Sequence, residues 1–278
     1  MSYQNILNTI SPKQPIFDVE YAILSAPVRH CFIIGTIWYL KKQNPDLKNI
    51  NILEIGSWFG ASTLSFAQGL KDYNSSGTIT CIDAWQPFFD EEKNKEQVHK
   101  NMQAMLNSDI AYNVFLHNIN TIPQTILCQH LKGKSENIMP MLKENQFDII
   151  FIDADHTYHP VKKDILNAIP LIKDGGIICG DDLNLQMFEC DQQLAKSSKE
   201  KDFIKDTKTG RNFHPGVTLA VDEIFGKVSS WGGFWVIQKD GNKWQAPSYK
   251  NMPIVYPDHF PKSALKKAKD HMNDIEIY

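Results

Sequence analysis

The sequence has no excess of positive charge and no apolar run long enough to cross a membrane. Of its 278 residues, 29 are lysine or arginine and 32 are aspartate or glutamate, so the net charge is −3. A protein that binds nucleic-acid phosphates needs a basic excess on at least one face, so we expect no nucleic-acid partner. The longest apolar run, Cys31–Leu40, is about half of the roughly 20 residues that span a bilayer. It predicts a buried helix and no membrane partner.

The sequence also lacks paired cysteines. Its five cysteines are scattered, and none belongs to a CxxC motif. This distribution argues against a disulfide framework and against a zinc site, and it favours a reducing cytoplasm. The first residues, MSYQNILNTISPKQP, lack the cationic start and apolar core of a signal peptide, which predicts the same location.

Short apolar runs alternate with amphipathic stretches through the middle of the chain. Such alternation is typical of a parallel sheet that is covered by helices on both faces. Two segments, 85–118 and 183–215, exceed the short connections of such a sheet, so we predict helical insertions there. The strand candidates are Asn51–Ile55, Thr78–Ile82, Thr125–His130, Phe147–Ile152, Gly175–Cys179 and Phe234–Gln238.

We therefore predict a single domain over 1–278, whose cofactor-binding core covers 50–240 and contains both insertions. An N-terminal helical segment (1–49) precedes this core, and a tail (241–278) with a basic amphipathic helix follows it. The stretch 195–208 is rich in lysine and serine, so we expect it to be solvated and partly disordered. The buried helix at Cys31–Leu40 packs either on its own sheet or on another subunit of a homo-oligomer, and the sequence leaves both open.

The first strand runs into the motif LEIGSWFGAS, which contains Glu54 and two glycines before a helix. Gly56 and Gly60 let the backbone approach a ligand closely, and the helix start attracts negative charge. The order ExGxxxG differs from the GxGxxG of dinucleotide-binding enzymes, which speaks against a NAD-binding oxidoreductase. The structural alternative is that the glycines serve only a tight turn.

Asp83 ends the second strand, 23 residues after Gly60. An acidic residue at this spacing can accept hydrogen bonds from both ribose hydroxyls of a nucleoside, and Trp85 offers an aromatic face to an adenine. Ser135, in the sequence GKSE, is either a polar contact to the base or a helix cap. A lone aspartate after a strand is otherwise a turn residue or a cap.

Acidic residues follow two neighbouring strands: Asp153 and Asp155 end one, and Asp181–Asp182 ends the next, 28 residues after Asp153. Adjacent strands are about 4.8 Å apart, which brings these carboxylates within reach of one ion. Carboxylates without cationic partners repel each other, and an oxygen-only set suits Mg²⁺. The alternative is that Asp181 and Asp182 cap a turn while Asp155 faces solvent.

Three histidines lie near these acids. His156 follows Asp153 by three residues, where a neutral imidazole could remove a proton from a metal-bound hydroxyl. The alternative is a hydrogen-bonded loop residue. His159 precedes Pro160 and is expected to set the start of a helix, and His214, in the second insertion, is a further candidate to reach the pocket.

Six sequences together resemble the class I S-adenosylmethionine-dependent methyltransferases. Within that family they are similar to the metal-dependent O-methyltransferases, in particular the macrocin-type sugar O-methyltransferases and the cephalosporin hydroxylase-like proteins. The resemblance covers roughly 50–83 and 126–240. The sequences are LEIGSWFGAS, CIDAW, GKSE, FDIIFIDADHTYHPVKKDI, LIKDGGIICGDD and GVTLAVDEIF.

The resemblance implies an α/β, Rossmann-like, doubly wound sheet of seven strands in the order 3-2-1-4-5-7-6, with one antiparallel strand. It implies S-adenosylmethionine as cofactor and a divalent metal, Mg²⁺ or another cation. The metal ligands that it implies are Asp153, Asp181 and Asp182. The implied cofactor contacts are Glu54, Gly56, Ser57, Gly60, Ser62, Asp83, Trp85, Ser135 and Asp153.

Two departures from the family limit what is implied. Catechol-type relatives have Asp-Asn at the second metal site, where this chain has Asp181–Asp182, and they have a lysine base at the position of His156. Catechol-like acceptors are therefore not implied. We expect a Mg²⁺-dependent O-methyltransferase that uses Asp153 and His156 on a hydroxyl of a sugar-containing or secondary-metabolite small molecule. The alternatives are a metal-independent methyltransferase, a NAD-binding oxidoreductase and a non-catalytic nucleoside-binding protein.

Overall fold

The computed structural model of the chain describes residues 14–18, 22–88 and 96–278. Most of the N-terminal sequence considered for a signal peptide, and 89–95 of the first insertion, lie outside the described residues. The helices are α1 (Arg29–Gln43), α2 (Ala61–Asp72), α3 (Gln97–Asn107), α4 (Ile110–Ile119), α5 (Ser135–Ile138), α6 (Tyr158–Leu171), α7 (Gln192–Ser197), α8 (Pro215–Phe225) and α9 (Lys262–Met272). The strands are β1 (Asn49–Ile55), β2 (Ser76–Asp83), β3 (Ile126–Lys132), β4 (Phe147–Ile152), β5 (Ile172–Leu183), β6 (Ile204–Lys205), β7 (Asn212–Phe213), β8 (Ser229–Trp231), β9 (Gly233–Asp240) and β10 (Lys243–Gln245).

Within the described residues, eight strands form one sheet in the order β10-β9-β5-β4-β1-β2-β3, with β8 paired to β9. Strands β1 to β5 pair in parallel, and β9 runs antiparallel to β5. The predicted Rossmann-like α/β fold and its antiparallel strand are confirmed. The sheet has one strand more than the seven predicted, because β8 and β10 pair with different parts of β9.

The sheet has a hydrophobic core on each face. Successive side chains of a strand point to opposite faces, so Ile52 of β1 and Phe151 of β4 join a core with α1 and α2. Their neighbours Leu53 and Ile150 join a second core with α6 and α8. Strands that are buried on both faces need continuous apolar sequence, and every residue of β4 is buried.

The apolar helix predicted at Cys31–Leu40 is part of α1 and packs on its own sheet. The Phe32 ring stacks on the rings of Trp231 and Phe234, with centroid distances of 5.3 and 5.9 Å. From the same helix Thr36 accepts a hydrogen bond from the hydroxyl of Tyr249 in the tail, at 2.9 Å. The sequence left two packing partners open for this helix, and the structure shows that it packs on its own sheet. The homo-oligomer stays a prediction.

The second insertion is ordered, so the prediction of partial disorder in 195–208 is wrong. This segment contains the end of α7 and strand β6, which pairs with β7. The carboxylate of Asp206 is buried and accepts hydrogen bonds from the backbone N–H groups of Asp191 and Thr209, at 2.8 and 2.7 Å. The polar residues that made the segment look solvated in the sequence form hydrogen bonds with other parts of the insertion.

The tail contains the predicted amphipathic helix, α9, which buries Ala264, Ala268 and Met272 on one face.

The first insertion contains the predicted helices, α3 and α4. Among the described helices, none has both the length and the apolar character needed to cross a membrane.

Asn118 in α4 joins the N-terminal segment to the glycine motif after β1. Its side chain is fully buried. Its Oδ1 accepts from the backbone N–H of Ile16 at 2.7 Å, and its Nδ2 donates to the carbonyl of Phe59 at 2.8 Å. Because both backbone groups are buried with it, this amide satisfies polar atoms that water does not reach.

We expect Asn118→Ala to lower the free energy of unfolding by about 2 kcal/mol, because a buried donor and a buried acceptor lose their partner. The matched control is Asn113→Ala on the exposed side of the same helix, with an expected change below about 0.5 kcal/mol. Urea unfolding followed by circular dichroism measures both. Equal losses for the two variants would contradict this role of Asn118.

Ser135 is the first residue of α5, and Lys134 occupies the N-cap position. The alternative prediction that Ser135 caps a helix is therefore wrong. Its hydroxyl donates to Oδ1 of Asp164 in α6, at 2.6 Å. Burial raises the pKa of Asp164 to about 7, and the nearby Asp155 and Glu136 add to this rise. The folded protein therefore favours the neutral form of Asp164, and contact between Ser135 and adenine stays a prediction.

The raised pKa makes stability depend on pH. The free energy of unfolding is not lowered by Asp164 below about pH 4, where its carboxyl group is neutral in both the folded and the unfolded state. As the pH rises towards 7 this stability is lost, because the unfolded state releases the proton easily and the folded state would have to bury the charge. We expect Asp164→Asn, which keeps an acceptor for Ser135, to stabilise the protein at pH 8 by about 1–2 kcal/mol and less at pH 4. Thermal unfolding at both values measures this, with exposed Asp222→Asn as control. A gain that is independent of pH would refute the explanation.

Candidate active site

The glycine motif forms a tight turn between β1 and α2. Gly56, Trp58 and Gly60 have φ values of +83°, +49° and +86°. A Cβ at Gly56 would collide with the carbonyl oxygen of Asp153, the residue after β4. The two strand ends are held together there by the backbone N–H of Asp153, which donates to the carbonyl of Ile55 at 2.8 Å. Gly56 is therefore required both for its backbone conformation and for this close approach.

Glu54 lies under the turn and is fully buried. Its Oε2 accepts hydrogen bonds from the hydroxyls of Ser57, at 2.8 Å, and Thr63. Burial raises its pKa, although the hydroxyls of Ser62, Thr63 and Ser57 favour the charged form. Its Oε1 has no hydrogen-bond partner among the described residues. An unpaired buried acceptor beside the glycine turn suits a ligand with hydrogen-bond donors, such as the amino group of S-adenosylmethionine.

Asp83 at the end of β2 fixes this turn. Its Oδ2 accepts from the backbone N–H groups of Ser57 and Trp58, both at 2.9 Å, and its Oδ1 accepts from the backbone N–H of Trp85 at 2.7 Å. Burial raises the pKa of Asp83. The structure gives Asp83 a positioning role, and its contact with ribose stays a prediction.

Trp85 is buried, and its ring is covered by Tyr112 and Phe115, with centroid distances of 4.9 and 4.5 Å. Its Nε1 donates to the carbonyl of Trp58 at 2.8 Å. The aromatic face that the sequence offers to an adenine is thus packed into the first insertion. In this structure Trp85 supports the glycine turn, and adenine contact stays a prediction.

A buried arginine lies against the acids that end β5. Nη1 of Arg29, the first residue of α1, is 2.6 Å from Oδ1 of Asp181 and 2.6 Å from Oδ1 of Asp182. Its Nε donates to the carbonyl of Gly232 at 2.7 Å, and a side chain at Gly233 would collide with the guanidinium. The expectation that these carboxylates lack a cationic partner is therefore wrong.

The side chains of Asp181 and Asp182 differ in acidity. Burial raises the pKa of Asp181, and the neighbouring acids oppose the effect of Arg29 on it. Burial acts in the same direction on Asp182, but His214, His156 and Arg29 outweigh it and hold the pKa of Asp182 below its usual range. Asp182 is therefore the more acidic of the two groups.

His156, His214, Asp182 and Asp202 form what we call the histidine cluster. Nε2 of His156 lies 3.1 Å from Oδ2 of Asp182, and Nε2 of His214 lies 3.5 Å from Oδ1 of Asp182. On the other side of both rings, Oδ1 of Asp202 is 2.8 Å from Nδ1 of His156 and 3.4 Å from Nδ1 of His214. The candidate His214 thus reaches the site.

The other predicted acids lie at the margin of this cluster. Oδ1 of Asp153 is 3.8 Å from Nε2 of His156. Asp155 does not simply face solvent, because its Oδ1 accepts from the backbone N–H and the hydroxyl of Thr157, at 2.8 and 2.6 Å. Among the described residues, the set of three ligating groups that converges within 4.8 Å is His156, Asp182 and His214. The predicted set of Asp153, Asp181 and Asp182 does not converge in this way, because Arg29 holds Asp181.

The second insertion completes the cluster. A Cβ at Gly216, in the first turn of α8, would collide with the carbonyl of His156, so this turn packs tightly on the loop after β4. The backbone N–H of Tyr158 donates to the carbonyl of Lys199 at 2.9 Å. His159 follows at the start of α6, as expected, with an exposed side chain. Asp202 and His214 therefore reach a site whose other residues follow β4 and β5.

Three residues of the site were not found from the sequence: Arg29, Asp202 and His99. Nε2 of His99, in α3, lies 2.7 Å from Oδ2 of Asp202, so both insertions meet at this carboxylate. A signal existed for Arg29, because a cation directly before a long apolar helix requires an acidic partner if it is buried. Asp202 and His99 lie in polar stretches without such a signal.

Comparisons with known proteins agree with this fold. Residues 53–183 match a family model described as a methyltransferase domain. No curated protein sequence matches the chain. Among solved structures the chain is similar to the O-methyltransferase NovP, at 15% identity and a TM-score of 0.50, over 77% of this chain and 80% of that one. It is also similar to an O-methyltransferase from Bacillus cereus, at 20% identity and a TM-score of 0.42, over 85% and 88% of the two chains.

The matched segment contains the glycine turn, Asp83, Asp153 and both acids that end β5. The likeness to NovP shows the shared fold, and apart from the extra strand the sheet order agrees with the order that the resemblance implies. The motifs, the sheet order and the match of residues 53–183 to a methyltransferase domain all agree with the expected resemblance to the class I S-adenosylmethionine-dependent methyltransferases.

Proposed function

We propose that the protein transfers a methyl group from S-adenosylmethionine to a hydroxyl of a sugar-containing or secondary-metabolite small molecule. The observation that carries this proposal is the close approach of two sites at one edge of the sheet. The glycine turn touches the backbone of Asp153, and the side chain of Asp153 lies 3.8 Å from His156 of the histidine cluster. A cofactor on the turn and an acceptor at the cluster would therefore be neighbours.

Bound S-adenosylmethionine supplies an electrophilic methyl group on a positively charged sulfur. The chain holds the reactants in place, and positioning accounts for most of the rate in such a transfer. In this proposal Glu54 and Ser62 hold the methionine part, Asp83 accepts hydrogen bonds from the ribose hydroxyls, and Asp153 lies between cofactor and acceptor. The cytoplasm is the proposed location, because the five cysteines are unpaired within the described residues.

Magnesium does not fit the residues found at the predicted metal site. Arg29 already pairs with Asp181 and Asp182, and the groups that converge on Asp182 are imidazoles, whereas Mg²⁺ prefers oxygen ligands. Neutralisation of the two carboxylates by Arg29 favours the alternative of methyl transfer without magnesium.

The assignment of His156 as the base stays a prediction. Burial alone would lower the pKa of His156, but Asp182, Asp153 and Asp202 raise it well above its usual value. A charged imidazole donates hydrogen bonds and accepts no proton. The geometry supports a position for His156 and Asp153 beside the acceptor oxygen.

We expect Gly56→Ala to weaken binding of S-adenosylhomocysteine at least about tenfold, because the new Cβ collides with the backbone of Asp153 in a left-handed conformation. The matched control is Gly241→Ala, which has φ +57° but whose Cβ meets no described atom within 4 Å. Isothermal titration calorimetry measures both. Equal weakening by the two variants would remove the turn from the proposed cofactor site.

The transfer itself is tested by incubating the protein with methyl-deuterated S-adenosylmethionine and a panel of glycosides and phenolic acceptors. We expect mass spectrometry to show a labelled methyl group on a hydroxyl oxygen of at least one glycoside, and no product with Gly56→Ala. Binding of NAD in place of S-adenosylhomocysteine, or labelling on nitrogen or carbon alone, would contradict the proposed function.

A further inference from the structure

We propose that His156, His214 and Asp182 form a binding site for a divalent transition-metal ion, of the class of Zn²⁺, Co²⁺ or Fe²⁺. Ligand atoms bound at about 2.0–2.2 Å to one ion lie roughly 3–3.5 Å apart. Nε2 of His156 lies 3.1 Å from Oδ2 of Asp182, and Nε2 of His214 lies 3.5 Å from Oδ1 of the same carboxylate, so each imidazole has this spacing to one of its two oxygens. All three ligand atoms lie within 4.8 Å of one another.

The surroundings of the two imidazoles also suit metal ligands. A histidine that binds a metal through one nitrogen usually donates its other N–H to a carboxylate or carbonyl, which fixes the ring. Here both Nδ1 atoms face the same oxygen of Asp202, at 2.8 Å from His156 and 3.4 Å from His214. The other oxygen of Asp202 lies 2.7 Å from His99. Asp202 therefore turns both Nε2 atoms towards Asp182.

The type of metal follows from the donors and the charge. Two imidazoles and one carboxylate suit Zn²⁺, Fe²⁺ and Co²⁺, whereas Mg²⁺ requires mainly oxygen ligands. Arg29 supports this choice, because it neutralises part of the acidic charge that would attract a hard cation. It also fixes Asp182 through Oδ1, while Oδ2 faces His156.

Metal binding would exclude the role of His156 as the base. An imidazole has two nitrogens, and in His156 the Nδ1 atom is bonded to Asp202 while Nε2 would donate its electron pair to the metal. No nitrogen would remain to accept a proton from the acceptor hydroxyl. The proposed metal site is therefore an alternative to the prediction that His156 is the general base.

The test measures metal binding to the full-length protein after removal of metals, without cofactor or acceptor. Co²⁺ is the probe, because its visible absorption reports nitrogen ligands and coordination number. We expect one Co²⁺ per chain, displaced by Zn²⁺ but not by a hundredfold excess of Mg²⁺. His214→Ala and His156→Ala should each weaken Co²⁺ binding more than a hundredfold, and Asp202→Asn about tenfold to a hundredfold.

The matched control is His159→Ala, because His159 lies near the site in sequence but its side chain is exposed. It should leave Co²⁺ binding unchanged. Circular dichroism checks that each variant is folded, and His214→Gln replaces His214→Ala if the latter unfolds. The proposal is overturned if the wild-type protein binds no Co²⁺, if Mg²⁺ displaces it at equal concentration, or if a folded His214 variant binds as well as the wild type.

This proposal concerns the same edge of the sheet as the proposed function but does not depend on methyl transfer. Binding of S-adenosylhomocysteine without Co²⁺ binding would refute the metal site and leave the methyltransferase proposal intact. Co²⁺ binding without methylation of any hydroxyl acceptor would refute the proposed acceptor class and leave the metal site intact.

Discussion

The buried contact between Arg29 and the two acids that end β5 is the interaction on which the arrangement of the site depends. A carboxylate removed from water is costly unless a cation and hydrogen bonds compensate it. Nη1 of Arg29 lies 2.6 Å from both Asp181 and Asp182, and its Nε is bonded to the carbonyl of Gly232. Removing one partner of such a buried set costs about 3–5 kcal/mol. The contact therefore binds α1 to the strand ends at the position where the chemistry is expected.

The same contact decides which acid is available to the histidines. Because Arg29 holds Oδ1 of both residues, Asp182 keeps Oδ2 for His156. Asp202 then opposes Asp182 across the two imidazoles, so that each ring lies between two carboxylates. The site gathers residues from α1, from the ends of β4 and β5 and from both insertions, and a change in any of these segments alters its charge balance.

Local sequence predicts the sheet and the glycine turn because their determinants are local. Continuous apolar runs end in glycine or aspartate, and parallel strands bring those ends to one edge, which places Gly56 against Asp153. The histidine cluster was predicted less well. Arg29 and Asp182 are separated by 153 positions, and their contact is set by how α1 packs, which no local pattern encodes.

The difference between local and long-range determinants also explains the wrong prediction of partial disorder in the second insertion. Lysine and serine in 195–208 suggest a solvated segment, but Asp202 and Asp206 within it are bonded to histidines and to backbone N–H groups. Polar residues that satisfy one another cannot be distinguished by composition from polar residues that face water. Burial of a polar segment depends on partners that come from other parts of the chain.

This division has a consequence for how the acceptor is selected. The family match ends at Leu183, the last residue of β5, so it includes the glycine turn and the acids but neither Asp202 nor His214. His99, which completes the contacts of Asp202, comes from the first insertion inside the matched segment. In the proposed function the sheet would supply the cofactor site, while the insertions would supply the groups that face the acceptor. Because function resides in such sites and not in the fold, acceptor specificity should follow the insertions when related chains are compared.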